Sequence, residues 1–367
     1  MTDPLQTHAI APTLVLRGPG AWARALPSIL ALGRRPLLLG RSAATFGLRQ
    51  QLAVDLERAA GRPRISQGLR DCCEEDLGSL AAEAGQAGCD AVIAAGGGKV
   101  LDAGKLLAHR LGLPCITVPT SAATCAGWTA LANLYTPEGA FLGDLALDRC
   151  PDLLVFDHDL VRQAPSRTLA SGIADALAKW YESSVSSGSS GDGLVQQAVQ
   201  MARILRDLLL LEGESALADP QGDAWVRVAE ACALTAGLIG GIGGARCRTV
   251  AAHAVHNGLT QLAATHGNLH GEKVGFGVLV QLGLEEQLAG NRLAAQARRQ
   301  LLPFFRQLGL PTDLEALGLA GATLEDLREV CRFACRPDSD LHRLPFAVGP
   351  EDLLAAMVGA AADRHPA

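Results

Sequence analysis

An α/β domain with a parallel, Rossmann-like sheet, followed by an all-α helical domain, is predicted by three features of this chain. Short apolar runs alternate with helical stretches through its first part. The alternation then stops, and only long helical stretches follow. At the end of one apolar run stands Gly96-Gly97-Gly98, a turn whose backbone can approach a bound phosphate.

The elements follow in order. Residues 13–16 (TLVL) precede Gly18-Pro19-Gly20, and residues 36–39 (PLLL) end at Gly40. Residues 91–95 (AVIAA) end at the glycine run, and residues 115–118 (CITV) end at Pro119-Thr120. Each is short, apolar and bounded by turn formers, as buried parallel strands are. Residues 153–157 (LLVFD) read as the last strand of the domain. Helical periodicity fills the intervals, for example over residues 49–60 and 77–87. Ligands of such sheets bind beyond the carboxyl ends of the strands. After Pro165, residues 167–182, 193–211 and 224–238 read as long helices, with no convincing strand among them. The low-complexity patch at residues 183–193 (SSVSSGSSGDG) reads as a flexible loop between helices. The two domains are expected at residues 1–163 and 164–367, with no internal repeat.

The composition fits this division. A chain of 367 residues exceeds one ordinary domain. Apolar residues make up 49% and aromatics only 4%, so Ala, Leu, Val and Gly must pack the core. A net charge of −6 argues against nucleic acid, which needs a basic face. No apolar run reads as long enough to span a membrane, and residues 1–8 lack a signal peptide's basic start and apolar stretch. A cytoplasmic location is therefore expected. The ten cysteines, many in apolar surroundings like Cys89, Cys115, Cys150 and Cys232, read as reduced thiols.

Three distant segments carry the chemistry: GIADALAKWYE around Asp175, AAHAVHNG around His253, and LHGEK around His270. One carboxylate and two imidazoles form a mixed oxygen and nitrogen set that can hold a divalent cation and leave positions open. Asp175 stands in an apolar helical stretch, where an unpaired carboxylate is costly and a cation relieves it. His253 and His256 are three apart on a helix, so both can face one cleft. His256 is a candidate proton relay, with a structural role as the alternative. His270 precedes Gly271, where the backbone can bend toward a ligand. Upstream, the glycine run and Lys99 open a helix whose N–H groups and dipole favour phosphate, and Asp102 and Lys105 follow on its first turns. The spacing is neither that of a P-loop nor GxGxxG. With the glycine turn in the α/β half and the ligands in the helical half, the site is expected in the cleft between them.

Together GGGKxxDxxK, the VPT run, GIADALAKWYE, AAHAVHNGLT and LHGEKVGFG resemble the iron-containing alcohol dehydrogenase superfamily, in its glycerol dehydrogenase-like branch. The resemblance spans residues 14–355 and implies the fold shared with dehydroquinate synthase, with a divalent metal between the two domains. It implies Asp175, His253 and His270 as metal ligands, and Gly96, Gly97, Gly98, Lys99 and Asp102 as the phosphate loop. The nicotinamide-side contacts map onto Thr120, Ala123, Thr129, Leu131 and Tyr135. The implied cofactors are NADP or NAD and one divalent metal, either Zn, Fe, Mn or Ni. The implied partners are a small-molecule substrate and further copies of the chain, with neither nucleic acid nor membrane.

Two departures bear on specificity. Glycerol dehydrogenases hold the polyol with an Asp in the segment matching residues 119–126, and Cys125 stands at that position here. Its loss disfavours glycerol and removes a repulsion against an anionic substrate. Residues 123–129, 175–182 and 336–345 are more similar to the bacterial hydroxycarboxylate dehydrogenases, which reduce 2-oxo acids. At the end of the second strand, where NAD-preferring sites place Asp or Glu, the chain has Gly40-Arg41-Ser42. Glycine leaves room for a 2′-phosphate and Arg41 can pair with it, so NADP is favoured. A merely solvated Arg41 is the alternative.

The expected reaction is hydride transfer between nicotinamide C4 and the carbonyl carbon of a small 2-oxo acid, with the cation as Lewis acid. Lys179, one turn beyond Asp175, and Arg248, five residues before His253, are candidate partners for the substrate carboxylate. Lys179 is the better placed by spacing, and Cys125 and His256 complete the candidate catalytic set. A glycerol, polyol or simple alcohol dehydrogenase is the alternative. A dehydroquinate synthase-like cyclase or a non-catalytic ligand-binding protein stands further off.

Overall fold

A computed structural model of the chain describes residues 7–362. Residues 1–6, which hold most of the N-terminal segment read for a signal peptide, and residues 363–367 lie outside them. Six strands form one parallel sheet: β1 (Leu14–Gly18), β2 (Pro36–Leu39), β3 (Arg64–Ile65), β4 (Ala91–Gly96), β5 (Cys115–Pro119) and β8 (Leu153–Asp157). Their order is β1-β8-β5-β4-β2-β3. All residues of β2, β4, β5 and β8 are buried, which is why these strands read as largely apolar runs.

Alternate residues of each strand feed the two layers. Leu37, Leu39, Val92 and Ala94 pack with Leu77 and Leu80 of α3 (Glu74–Ala87) and with Leu106 of α4 (Gly98–Leu111). Leu38, Ala91 and Ile93 pack with Ile29 of α1 (Ala21–Leu32) and with Leu52 and Leu56 of α2 (Phe46–Arg58). The register pairs Leu39 with Ala94 and Gly96 with Pro119. Gly40, Gly96 and Thr120 therefore emerge along one rim of the sheet.

A short helix, α5 (His158–Val161), leads into the helical part. It contains α6 (Ser166–Ser187), α7 (Gly193–Ala218), α8 (Asp223–Glu230), α9 (Ala236–Gly243), α10 (Ala251–Leu259), α11 (His270–Ala289), α12 (Arg292–Gln307), α13 (Leu324–Ala334) and α14 (Pro350–Val358). A π turn, Ala231–Thr235, joins α8 to α9. Helices α6 and α11 are buried on nearly every side and form the centre of this core.

Three expectations need correction. The serine-rich patch is not a loop throughout, because α6 continues to Ser187. Ser183 and Ser187 are buried, and Ser186 Oγ donates to the carbonyls of Glu182 at 2.9 Å and Arg246 at 2.7 Å. Next, an antiparallel hairpin of β6 (Leu131–Tyr135) and β7 (Phe141–Ala146) went unread. It turns through Pro137 and Gly139 (φ +99°) and bridges to α10, where Phe141 N donates to Thr260 Oγ1 at 3.0 Å. Finally, the continuous helical run Asp223–Gly243 is long and apolar enough, by length and composition, to cross a membrane. Val226, Val228, Leu234, Leu238, Ile239 and Ile242 carry most of its hydropathy. In the fold 61% of its most apolar window is buried, with Trp225, Val228 and Ile239 in the core.

One close approach locks the helical part to the sheet. A Cβ at Gly172 would overlap the Ala122 carbonyl oxygen and stand 3.3 Å from Ala123 Cα. This contact sets Asp175, one turn later, against the loop that follows β5. Gly172→Ala should therefore destabilise the protein by roughly 2–3 kcal/mol, through overpacking against immovable backbone. Gly85→Ala, in open space on α3, should be neutral or stabilising by up to about 1 kcal/mol. Thermal unfolding of the two variants checks this, and equal melting temperatures would contradict it.

Candidate active site

Helix α6 presents Asp175, Lys179 and Glu182 at offsets of four and three, so all three lie on one face. Helix α10 presents His253 and His256, and His270 is the first residue of α11. Asp175 Oδ1 lies 3.2 Å from His270 Nε2 and 3.4 Å from His253 Nε2. One donor atom from each of the three residues falls within 4.8 Å of the others. Tetrahedral ligands at about 2.1 Å from a cation are about 3.4 Å apart, so this set fits one divalent ion.

The other ring nitrogens are held. His253 Nδ1 faces Glu182 Oε2 at 2.6 Å, and His270 Nδ1 faces His256 Nε2 at 3.0 Å. His256 Nδ1 in turn faces Asn257 Oδ1 at 2.9 Å. With these contacts occupying the Nδ1 atoms, the Nε2 lone pairs of His253 and His270 are left for the point beside Asp175.

The charges respond to this crowding. Burial opposes ionisation of Asp175, but His270 and His253 outweigh it and hold the carboxyl well below its usual range. Burial likewise opposes protonation of His253, yet Glu182 and Asp175 hold it up to about 9. Burial and the adjacent His270 push His256 well below the ordinary histidine value, so it is neutral. Burial also opposes the charge on Lys179, and Asp175 restores it to a raised value.

These residues form one wall of a cavity of about 630 Å³. The opposite wall comes from the sheet rim, with Gly96, Gly97, Gly98, Lys99 and Asp102 lining it. Thr120, Ala123, Thr129, Leu131 and Tyr135 line the middle, beside Cys125, Lys179, Arg248 and His256. Arg41 stands at the far end with Ser42 and Thr45.

Gly40 differs from its reading. It does not line the cavity, because the Arg49 side chain from α2 folds over it, with Nε 2.8 Å from where a Cβ would be. Arg49 is buried and donates to Ser42 O at 3.1 Å and Thr45 Oγ1 at 2.9 Å. The room that glycine leaves is thus filled by protein. Lys105 is likewise turned inward, pairing with Asp102 Oδ1 at 3.0 Å and donating to the Thr129 carbonyl at 3.1 Å. It anchors the start of β6. The geometry also separates the two candidate carboxylate partners. Lys179 is only 5% exposed and donates to Arg248 O at 3.2 Å. The Arg248 guanidinium lines the cavity with no ion pair or hydrogen bond to it among the described residues.

Three further residues of the site escaped the sequence reading. Buried Asp71 takes Lys99 Nζ and lies 4.0 Å from Arg41, so one carboxylate holds both cations at that end of the cavity. Lys273, on α11, lines the same cavity, and burial together with Lys99 lowers it to about 8. Glu182, inside a quoted motif but given no role, grips His253. Glu182 had a signal in the sequence, its seven-residue offset from Asp175 on one helix, and Lys273 closes the LHGEK motif.

The metal-free site should compete with protons. Because His253 is raised from 6.5 to about 9, its protonation stabilises the metal-free fold fully below pH 6.5, and this stabilisation is lost as pH rises through 9. A metal needs the neutral ring, so apparent Zn²⁺ affinity should rise about tenfold per pH unit across that window and level off above it. Chelator-competition titrations at a series of pH values check this. A flat profile would contradict it.

Comparisons with known proteins agree with the geometry. The sequence profile of the family described as iron-containing alcohol dehydrogenase matches residues 12–158. An uncharacterized oxidoreductase of Synechocystis is 53% identical over 98% of this chain and 92% of its own. Hydroxycarboxylate dehydrogenase A of Escherichia coli is 38% identical over 87% of this chain and 88% of its own. The crystal structure of a probable glycerol dehydrogenase from Sinorhizobium meliloti superposes with a TM-score of 0.85 at 29% identity, covering 96% of this chain and 97% of that one. The two-part fold, the convergent donor set and these relatives place the chain in the iron-containing alcohol dehydrogenase family, as an NAD(P)-dependent oxidoreductase acting on CH–OH groups.

Proposed function

We propose that the protein reduces small 2-oxo acids to 2-hydroxy acids, with NADPH as the favoured hydride donor and one divalent cation on Asp175, His253 and His270. The observation that carries this reading is Arg248, a cavity-lining guanidinium with no protein carboxylate paired to it among the described residues. Burial pushes it below the ordinary arginine value, and the more distant Asp144 and Asp340 act the other way. Such a group gains most from an incoming carboxylate. Cys125, half-buried beside it on the cavity wall, adds no competing negative charge, since burial raises its thiol. Lys179 serves Asp175 and the Arg248 backbone instead, so the order suggested by spacing is reversed.

A divalent cation, whether Zn, Fe, Mn or Ni, would supply Lewis acidity toward a carbonyl oxygen and keep a net positive charge beside one carboxylate and two neutral imidazoles. The residues of the chain supply the rest. The Gly97-Gly98 turn and Lys99 bind the cofactor phosphates at the start of α4. The loop from Thr120 to Cys125 and the hairpin strand β6 would hold the nicotinamide. Arg248 orients the oxo acid so that its carbonyl carbon faces the hydride. His256 accepts from His270 Nδ1 and positions that ring, which favours its structural role over a relay. NADPH is supported by the absence of a carboxylate at positions 40–42 and by Arg41, Ser42 and Thr45 at that end of the cavity. We also place the boundary of the two domains at 163/164, between α5 and α6.

The likeness to the Sinorhizobium meliloti enzyme favours a second reading, a glycerol or polyol dehydrogenase. NADPH oxidation measured against 2-oxo acids, neutral aldehydes and dihydroxyacetone separates the two. Arg248→Gln should raise KM for oxo acids ten- to a hundredfold, the value of a charge-assisted bond of roughly 1.5–3 kcal/mol, with little change for neutral aldehydes. Dihydroxyacetone outperforming every oxo acid would overturn the acid reading. Arg41→Gln should weaken NADPH about tenfold and leave NADH unchanged, as expected for one lost phosphate contact. It is a cleaner test than an acidic residue at position 40, which would collide with Arg49. Equal losses for both cofactors would contradict the preference.

A further inference from the structure

Helix α10 carries a metal-site histidine yet has no cap of its own. Its N-cap residue, Val250, has φ −141° and ψ −123° and offers no side-chain acceptor. The missing acceptors come from neighbouring helices. Ala252 N donates to Gln281 Oε1 of α11 at 3.2 Å. Glu182 Oε1 of α6 accepts from Val250 N at 2.6 Å and from His253 N at 3.0 Å. The second oxygen of the same carboxylate, Oε2, meets His253 Nδ1 at 2.6 Å. Glu182 is 0% exposed, so no solvent competes for these bonds.

We propose that Glu182 is the positioning residue of the metal site, orienting both helix α10 and the His253 ring so that Nε2 is the coordinating atom. A carboxylate can only accept, so it requires the proton of the neutral ring on Nδ1 and leaves the Nε2 lone pair toward Asp175. The same negative charge at the start of α10 suits the helix dipole there. Because Asp175 and Glu182 both lie on α6, one helix supplies a metal ligand and also aims another. This inference rests on the metal-site reading above.

Glu182→Gln separates positioning from simple structural support. Its Oε1 can still cap Val250 N and His253 N, but its amide then faces His253 Nδ1 as a donor. That contact demands a proton on Nε2, the wrong atom for ligation. Zn²⁺ affinity of the purified protein, measured by chelator competition, should fall ten- to a hundredfold. NADPH affinity, measured by fluorescence, should stay within twofold of the parent protein, because the Gly97-Gly98 turn is untouched. Unchanged Zn²⁺ affinity, or parallel loss of metal and cofactor binding, would overturn the positioning role. If the variant does not fold, ¹⁵N NMR of the histidine rings in the Zn²⁺-loaded parent decides. A protonated Nδ1 on His253 is expected, and coordination through Nδ1 would overturn the proposal. A parent protein that binds no Zn²⁺, Fe²⁺, Mn²⁺ or Ni²⁺ would overturn the metal reading itself, whereas an unaltered Glu182→Gln variant would overturn only this inference.

Discussion

Asp175 is a carboxylate buried in the middle of an apolar helix, and most of the helical part is arranged around relieving that charge. Left alone it would cost several kcal/mol. His253 and His270 approach the same oxygen from two other helices, and Lys179 adds positive charge from one turn along. Each of these groups then needs its own fixed partner, which Glu182, His256 and the Arg248 carbonyl provide. Three helices are thereby tied at one point, and the same point is where a cation can sit. Stability of this core and function of the site depend on one set of interactions.

The second constraint is the distance between that point and the sheet. The carboxyl ends of β2, β4 and β5 open toward the helical part, and the β6–β7 hairpin closes one side. Gly172 lets α6 press directly on the loop after β5, so there is little slack between the two halves. On the sheet side, Asp71 holds Lys99 and lies near Arg41 while Lys99 stacks over Tyr135 at 4.3 Å. One protein carboxylate thus keeps both cations extended along the cavity wall.

Much of this was legible in the sequence, and the reasons differ by element. The parallel strands were readable because burial on both faces leaves runs such as AVIAAG and CITVP almost wholly apolar, with Thr117 the one polar residue in the two. The donor set was readable because Asp175 contradicts its apolar surroundings. The hairpin was missed because β6 and β7 are only partly buried and are interrupted by Asn133 and Asp144, so neither reads as a clean apolar run, although Pro137 and Gly139 mark its turn. The serine-rich patch misled because composition alone does not show that Ser183 and Ser187 point into the core. Gly40 misled in a different way. An absent side chain signals space, but only the fold reveals that Arg49 occupies it. The choice between Lys179 and Arg248 was closed to spacing arguments, since it turns on which cation the protein itself has already paired.

Anomalous diffraction from crystals of the metal-loaded protein would show where the cation sits and which atoms bind it. One ion is expected in the cleft between the sheet rim and the helical part, bonded to the Asp175 carboxylate and to Nε2 of both His253 and His270, facing the Gly97-Gly98 turn. An ion bound elsewhere, or one that leaves either histidine uncoordinated, would contradict it.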